Sequence, residues 1–311
     1  MSEEPTTPPG KDHTVNGLAL VADPEQGWID DVIDIDRYPI HEPHRPAWRE
    51  LVHEVTRRLA TEGACELTGF LRPEARAEIS RQLGAARTHV PIREHESTVY
   101  ARADLEATLP ADDPRCTALR WHAGHVTRDM IPAYAPSHRL YAAPRFKAFV
   151  AACVGRNRVF EYADPMAGLI ATILPPGGRY PWHYDTNEFV VTVMIDRAEV
   201  GGVFEYCPNL RRPGDENLAG LGRILAGDDH HLIRRSDVEP GTLQVFLGRH
   251  SLHRVTQVEG TSTRVMLVLS YADRPGVIGP VDRTRSVYGR VTEAHLVAGE
   301  QRSRAADGLI L

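Results

Sequence analysis

Pro181-Trp182-His183-Tyr184-Asp185-Thr186-Asn187-Glu188 stands within a series of short apolar or alternating runs. These runs are Gly168–Leu174, Glu188–Ile195, Gly202–Tyr206, Thr242–Leu247, His253–Val258 and Thr263–Ala272, and Gly and Pro separate them. Runs so short, rich in Val, Ile, Thr and Phe, read as strands. Several in succession, without alternating helices, predict a sandwich or barrel rather than a parallel α/β sheet. His183 and Asp185 are two residues apart, and on a strand residues i and i+2 point to the same face. An imidazole and a carboxylate therefore leave the sheet side by side. Between Cys207 and Pro240 lies a polar insertion with a weak helical piece.

Upstream of Phe160 the pattern is different. Trp48, Leu51, Val52, Val55 and Leu59 recur at helical spacing, and Gly63 ends that segment. Ala64–Leu67 reads as a short strand. Pro73 to about Ala86 reads as a second helix, since proline is well tolerated in a first turn. Pro144 to about Val154 reads as a third. Thr88–Pro136 reads as irregular. Residues 1–16, polar and rich in Pro and Thr, read as a disordered tail. The fold expected is mainly β with flanking helices, in one domain over 17–311. It divides into a helical and loop part (17–159), a β core (160–272) and a C-terminal segment (273–311).

Composition narrows the function classes. Of 311 residues, 42 are acidic and 36 basic, a formal net charge of -6, whereas a nucleic-acid binder usually shows a basic excess. No apolar run approaches the roughly 18–20 residues of a membrane helix. The start, MSEEPTTPPGKDHT, is not a secretory signal. The four cysteines are scattered without a CxxC pair, which fits reduced cytoplasmic thiols. The reading is a cytoplasmic protein acting on a small molecule, with no nucleic acid or membrane partner, as a monomer or homodimer.

The chemistry turns on where a third metal ligand could come from. Gly248-Arg249-His250-Ser251-Leu252-His253-Arg254-Val255 follows the run Thr242–Leu247 and offers two histidines. Being three apart, they face opposite ways on a regular strand. Two histidines and a carboxylate on one face of a metal leave three positions open. Arg264 heads the apolar run Thr263–Ala272, where a buried charge is costly unless a carboxylate pairs with it. The bland alternatives are a surface HxD and an arginine in solvent. His230-His231 read as a polar loop. His122 and His125 could line the site or lie on the surface.

Taken together, His183-Tyr184-Asp185, the segment Gly248–Val255 and Arg264 resemble the core of the iron(II)/2-oxoglutarate-dependent oxygenases. The resemblance covers roughly 160–272. It implies a double-stranded β-helix (a cupin-like jelly roll) braced by N-terminal helices. It implies that His183, Asp185 and His253 hold Fe(II), the offset of eleven residues from His253 to Arg264 matching the family. It implies that Arg264 binds the distal carboxylate of 2-oxoglutarate, and that O2 is the co-substrate. Many members carry Arg-x-Ser, but here Met266 follows two residues after Arg264, leaving Thr192 or Thr172 as the second contact. Halogenating members replace the carboxylate by Gly or Ala, so Asp185 points to hydroxylation. The wording around His253 is similar to amino-acid hydroxylases and halogenases, which implies a small polar metabolite as substrate. Candidate substrate contacts are Arg179, Trp182, Asn187 and Glu188 around HxD, with Trp121 and Arg128 upstream. Desaturation, cyclisation or epimerisation on the same cofactors stays open, as does a cupin-like metal- or sugar-binding protein without 2-oxoglutarate.

Overall fold

A computed structural model describes residues 26–100, 108–228 and 230–306. The expected tail, residues 1–16, lies outside them. In chain order the helices are α1 (Gln26–Val32), α2 (Pro46–Glu62), α3 (Pro73–Arg87), α4 (Pro136–Ala142), α5 (Pro144–Cys153), α6 (Leu218–Ala226), α7 (Val281–Tyr288) and α8 (Glu293–Ala306). The strands are β1 (Ala64–Leu67), β2 (Arg93–Ser97), β3 (Leu119–Val126), β4 (Phe160–Glu161), β5 (Leu169–Leu174), β6 (Tyr180–His183), β7 (Val190–Asp196) and β8 (Val200–Gly201). They continue with β9 (Phe204–Cys207), β10 (Arg234–Ser236), β11 (Leu243–Phe246), β12 (Leu252–Val255), β13 (Val258–Glu259), β14 (Arg264–Leu269) and β15 (Tyr271–Ala272).

Two antiparallel sheets face each other as a double-stranded β-helix. The larger has the order β1-β11-β7-β14-β5-β3-β2, and the smaller β10-β9-β12-β6. Alternation assigns the faces. On β14, Val265, Leu267 and Leu269 are buried against the helices, together with Val191 and Val193 of β7 and Ala171 of β5. From the helices come Val55 and Leu59 of α2, Ile79 and Leu83 of α3, and Phe146 and Phe149 of α5. Each such side chain contributes roughly 1.5–3 kcal/mol by leaving water. The intervening residues of β14, Arg264, Met266 and Val268, turn to the interior, as does Thr172, which lies opposite Met266 on β5. Phe246 of the large sheet meets Phe204 of the small one at 5.0 Å between ring centroids, so the interior is a packed layer and not a channel.

The helices α2, α3 and α5 match the expected segments. The large sheet, however, draws three strands from before Phe160. β1 pairs with β11, and β2 and β3 join beyond β5. The stretch read as irregular, 88–136, therefore holds β2 and β3. Their sequences, Arg93-Glu94-His95-Glu96-Ser97 and Leu119-Arg120-Trp121-His122-Ala123-Gly124-His125-Val126, carry few aliphatic residues. They pair at a sheet edge where water, not core, covers much of β2. No helix among the described residues is long and apolar enough to cross a membrane.

Candidate metal centre

β6 and β12 are neighbours, and His183 lies directly opposite His253. The next aligned pair is Tyr180 with Val255, three residues along one strand and two along the other. That β-bulge gives β6 an extra residue. Both Tyr180 and His183 consequently face the interior, and Trp182 turns to the opposite side. The His183 and His253 rings are 4.1 Å apart, and Phe246 backs His253 at 4.7 Å. Asp185 follows the strand, its N–H donating to the Gly248 carbonyl at 3.0 Å.

One ligand atom from each of His183, Asp185 and His253 lies within 4.8 Å of the others. Nε2 of His183 is 3.9 Å from Oδ1 of Asp185, and Nε2 of His253 is 3.6 Å from Oδ2. Each imidazole is oriented from behind. His183 Nδ1–H donates to the Pro181 carbonyl at 2.8 Å, and His253 Nδ1–H to the Ser251 carbonyl at 3.0 Å. A carbonyl only accepts, so both Nε2 lone pairs point at the carboxylate. Burial holds His183 down to about 3, with the neighbouring His253 adding to the effect, and it holds His253 down to about 4. Burial also raises the Asp185 carboxyl, opposed by His183. Oδ2 of Asp185 is buried without a hydrogen-bond partner. A carboxylate oxygen and two unprotonated imidazole nitrogens converging without a proton between them are a donor set that fits iron(II).

Gly248 is required by close approach. A Cβ there would overlap Oδ2 of Asp185. Gly202, at φ +64, does the same for Arg264, whose Cδ would lie 3.0 Å from an added Cβ. Arg264 is 3% exposed, its Nε has no hydrogen-bond partner, and among the described residues no carboxylate pairs with it. Burial pulls its guanidinium down to about 10, with Tyr180 and Asp237 opposing, so it remains charged at neutral pH. A buried, unpaired guanidinium is costly, and a ligand carboxylate would relieve that cost. Beside it, Tyr180 Oη is 2.5 Å from Nε2 of His125.

The Halogenase D family model matches residues 49–282. The chain belongs to that family. No curated protein sequence matches it significantly. Among solved structures it is similar to AviO1 from Streptomyces viridochromogenes Tue57, with 17% identity over 73% of this chain and 97% of that one, at a TM-score of 0.49. It is also similar to the carbocyclase SnoK from nogalamycin biosynthesis (13% identity, 79% and 95% covered, TM-score 0.49). A third is an oxidoreductase of the 2OG-Fe(II) oxygenase family from Burkholderia pseudomallei (16% identity, 73% and 92% covered, TM-score 0.46). This Halogenase D family chain thus carries a His-Asp-His cluster whose donors fit iron(II).

In this Halogenase D family member the other expected site residues scatter. Thr172 is on the interior face, two residues along the pairing from Arg264. Thr192 lies opposite Val268, four residues down β14 from Arg264. At about 3.3 Å per residue that is roughly 13 Å, too far to share one carboxylate. Trp121 does reach the centre, 4.7 Å from the His183 ring, with Nε1–H donating to Ser97 Oγ. Asn187 Oδ1 accepts from Tyr162 Oη at 2.8 Å, and Tyr162 is close enough to Asp185 to be raised by its charge. The remaining four are committed elsewhere. Trp182 lies under the Arg254 guanidinium on the far side of β6. Arg179 donates to the Arg120 carbonyl and to Gln257, and Glu188 pairs with Arg156. Arg128 donates to Glu161 and to the Tyr162 carbonyl.

His250 lies in the turn between β11 and β12, and His230-His231 in an exposed turn; neither joins the cluster. Sequence reasoning missed Tyr180, three residues before His183, because a regular strand would turn it away; only the bulge brings it in. It also missed α7, whose Tyr288 ring lies 5.6 Å from His125.

Proposed function

We propose that the chain hydroxylates an unactivated C–H bond of a small polar metabolite, an amino acid or a derivative. His183, Asp185 and His253 hold iron(II) in this reading, and Arg264 takes the distal carboxylate of 2-oxoglutarate. Tyr180 and Thr172 supply the polar contacts that the missing Arg-x-Ser hydroxyl would give. The bound iron, 2-oxoglutarate and dioxygen supply oxidative decarboxylation and the removal of a hydrogen atom from substrate. The protein's part is to orient both imidazoles through the Pro181 and Ser251 carbonyls, to keep the interior dry with Phe246 and Trp121, and to position the substrate.

The single observation that supports hydroxylation is the Asp185 carboxylate. It stands between the two Nε2 atoms, in space kept open by Gly248. A carboxylate there occupies the position that a halide would need.

The test is spectroscopic and then chemical. Mixed anaerobically with iron(II) and 2-oxoglutarate, the protein is expected to develop a weak visible charge-transfer band. An iron-loaded protein without that band would sink the cofactor assignment. Turnover in chloride buffer should then give products heavier by one oxygen. Products carrying chlorine, or lacking two hydrogens, would replace hydroxylation with another outcome of the same chemistry.

A further inference from the structure

The groups behind metal ligands set a site's geometry as much as the ligands do. The segment 208–217, between β9 and α6, supplies such groups. Asn209 and Asn217 are the non-glycine residues at positive φ among the described residues, at +49 and +46. An L side chain rarely takes that conformation, and where it persists the surroundings enforce it. Asn217 closes the loop. Its Nδ2–H donates to the Leu210 carbonyl at 3.0 Å, and its Oδ1 accepts from the Gly220 N–H of α6 at 3.1 Å. Leu210 joins Tyr184, Trp182 and Leu221 in the apolar cluster outside the four-stranded sheet.

This loop grips the turn that leads into His253. The Asn209 N–H donates to Ser251 Oγ at 3.0 Å, the Arg211 N–H to the His250 carbonyl at 3.2 Å, and Arg211 Nε–H to the Arg249 carbonyl at 2.7 Å. The turn is therefore fixed at each residue from 249 to 251, and the Ser251 carbonyl is the one that orients His253. The same guanidinium lies 3.9 Å from the centre of the Tyr184 ring. Tyr184 stands between His183 and Asp185 in sequence and points away from them, into the outer cluster. Tyr100 stacks on it at 5.6 Å and donates its hydroxyl to Glu216 at 2.6 Å. Arg211 Nη1–H donates to that carboxylate as well, at 3.2 Å, and its side chain is 14% exposed. Inside the barrel the two ligand-bearing segments meet through the bond from the Asp185 N–H to the Gly248 carbonyl. Arg211 joins them a second time, from outside.

We propose that Arg211 is a positioning residue for the metal centre. By tying the Tyr184 ring to the 249–251 turn, it sets the separation between the His183–Asp185 pair and His253, and with it the affinity for iron(II). The inference deepens the oxygenase reading and rests on it. Arginine fits the task because its planar fork can lie on an aromatic face while its edge donates to a carbonyl and a carboxylate at once. A lysine would keep the charge over the ring but gather its donors at one point.

The experiment titrates iron(II) anaerobically into the full metal-free chain, read by calorimetry, beside urea unfolding of the same preparations. Arg211→Met keeps the length of the side chain and loses the fork. Its iron dissociation constant is expected to rise roughly tenfold, as for groups that orient metal ligands. Arg211→Lys should recover part of that loss. Tyr184→Leu should weaken iron binding too, and combining it with Arg211→Met should cost little beyond the larger single effect, because two ends of one contact are coupled. The urea midpoint of the metal-free variants reports the fold separately. An arginine that only held the loop would lower that midpoint and leave the iron affinity of the folded protein unchanged. An unchanged iron affinity in Arg211→Met, additive losses in the double variant, or no recovery with lysine would each overturn the proposal. The anaerobic band of the wild-type protein with iron(II) and 2-oxoglutarate separates the two levels. Its absence takes down the oxygenase reading and this inference together, whereas a band with iron affinity indifferent to Arg211 takes down this inference alone.

Discussion

The seven-stranded sheet presents Val265, Leu267 and Leu269 to the helices, and these side chains join one core with α2, α3 and α5. The four-stranded sheet carries His183 and His253, and behind it lies a smaller cluster that includes Trp182, Cys207, Leu210, Leu221, Ile224 and Leu252. One sheet is broad and backed by helices; the other is short, bulged beside the histidines and carries both imidazoles on its inner face. The difference separates stability from chemistry. A sheet with an apolar outer face can tolerate polar atoms on its inner face, because the energy lost there is supplied by burial on the other side. Arg264 Nε and Thr192 Oγ1 are buried on that inner face without hydrogen-bond partners. The ligands themselves sit on the sheet where a bulge can re-aim side chains without breaking a core.

If that division holds, Leu267→Ala should be among the most destabilising single changes. Leu267 is fully buried within the main core, and such truncations typically cost 2–5 kcal/mol. Urea unfolding of the metal-free protein would read this as a lower midpoint at unchanged slope, while turnover per folded molecule stays near wild type. A loss of iron affinity equal to that of a ligand variant would mean that the two sheets are not separable.

Gly248→Ala reverses the test. It touches no ligand atom chemically and removes no apolar contact, but its Cβ must displace the Asp185 carboxylate. Iron affinity should fall about 10–100-fold, the range seen when groups that orient ligands are disturbed. The unfolding midpoint should move far less than in Leu267→Ala. Iron titration and urea unfolding on the same preparation decide it, and unchanged iron binding would show that Asp185 does not need the space.

The same division explains what could be read in advance. The runs around Leu169–Leu174, Val190–Asp196 and Arg264–Leu269 are apolar at every second position on one face, and that period survives in the sequence. His183 and Asp185 were visible because the i, i+2 rule describes the strand end they occupy. Tyr180 was not, since a bulge shifts the parity of the strand and leaves no mark in composition. β2 and β3 were hidden because an edge strand such as Arg93–Ser97 needs no apolar period.

Arg264 gives the smallest expected change in stability and the sharpest separation of the two roles. A residue retained for structure weakens the fold when removed, whereas one retained for a ligand often does not. Arg264→Met replaces a buried, unpartnered guanidinium by an apolar side chain of similar length. The variant is expected to match or exceed the wild-type unfolding free energy by roughly 1 kcal/mol, because an unsatisfied buried donor is removed. It should also lose the rise in melting temperature that 2-oxoglutarate with iron(II) gives the wild-type protein under anaerobic conditions, since a ligand stabilises only the state it binds. A clear fall in the stability of the ligand-free variant would assign Arg264 to the fold. Retention of the 2-oxoglutarate-dependent rise would move the carboxylate contact to the neighbouring Tyr180 and Thr172.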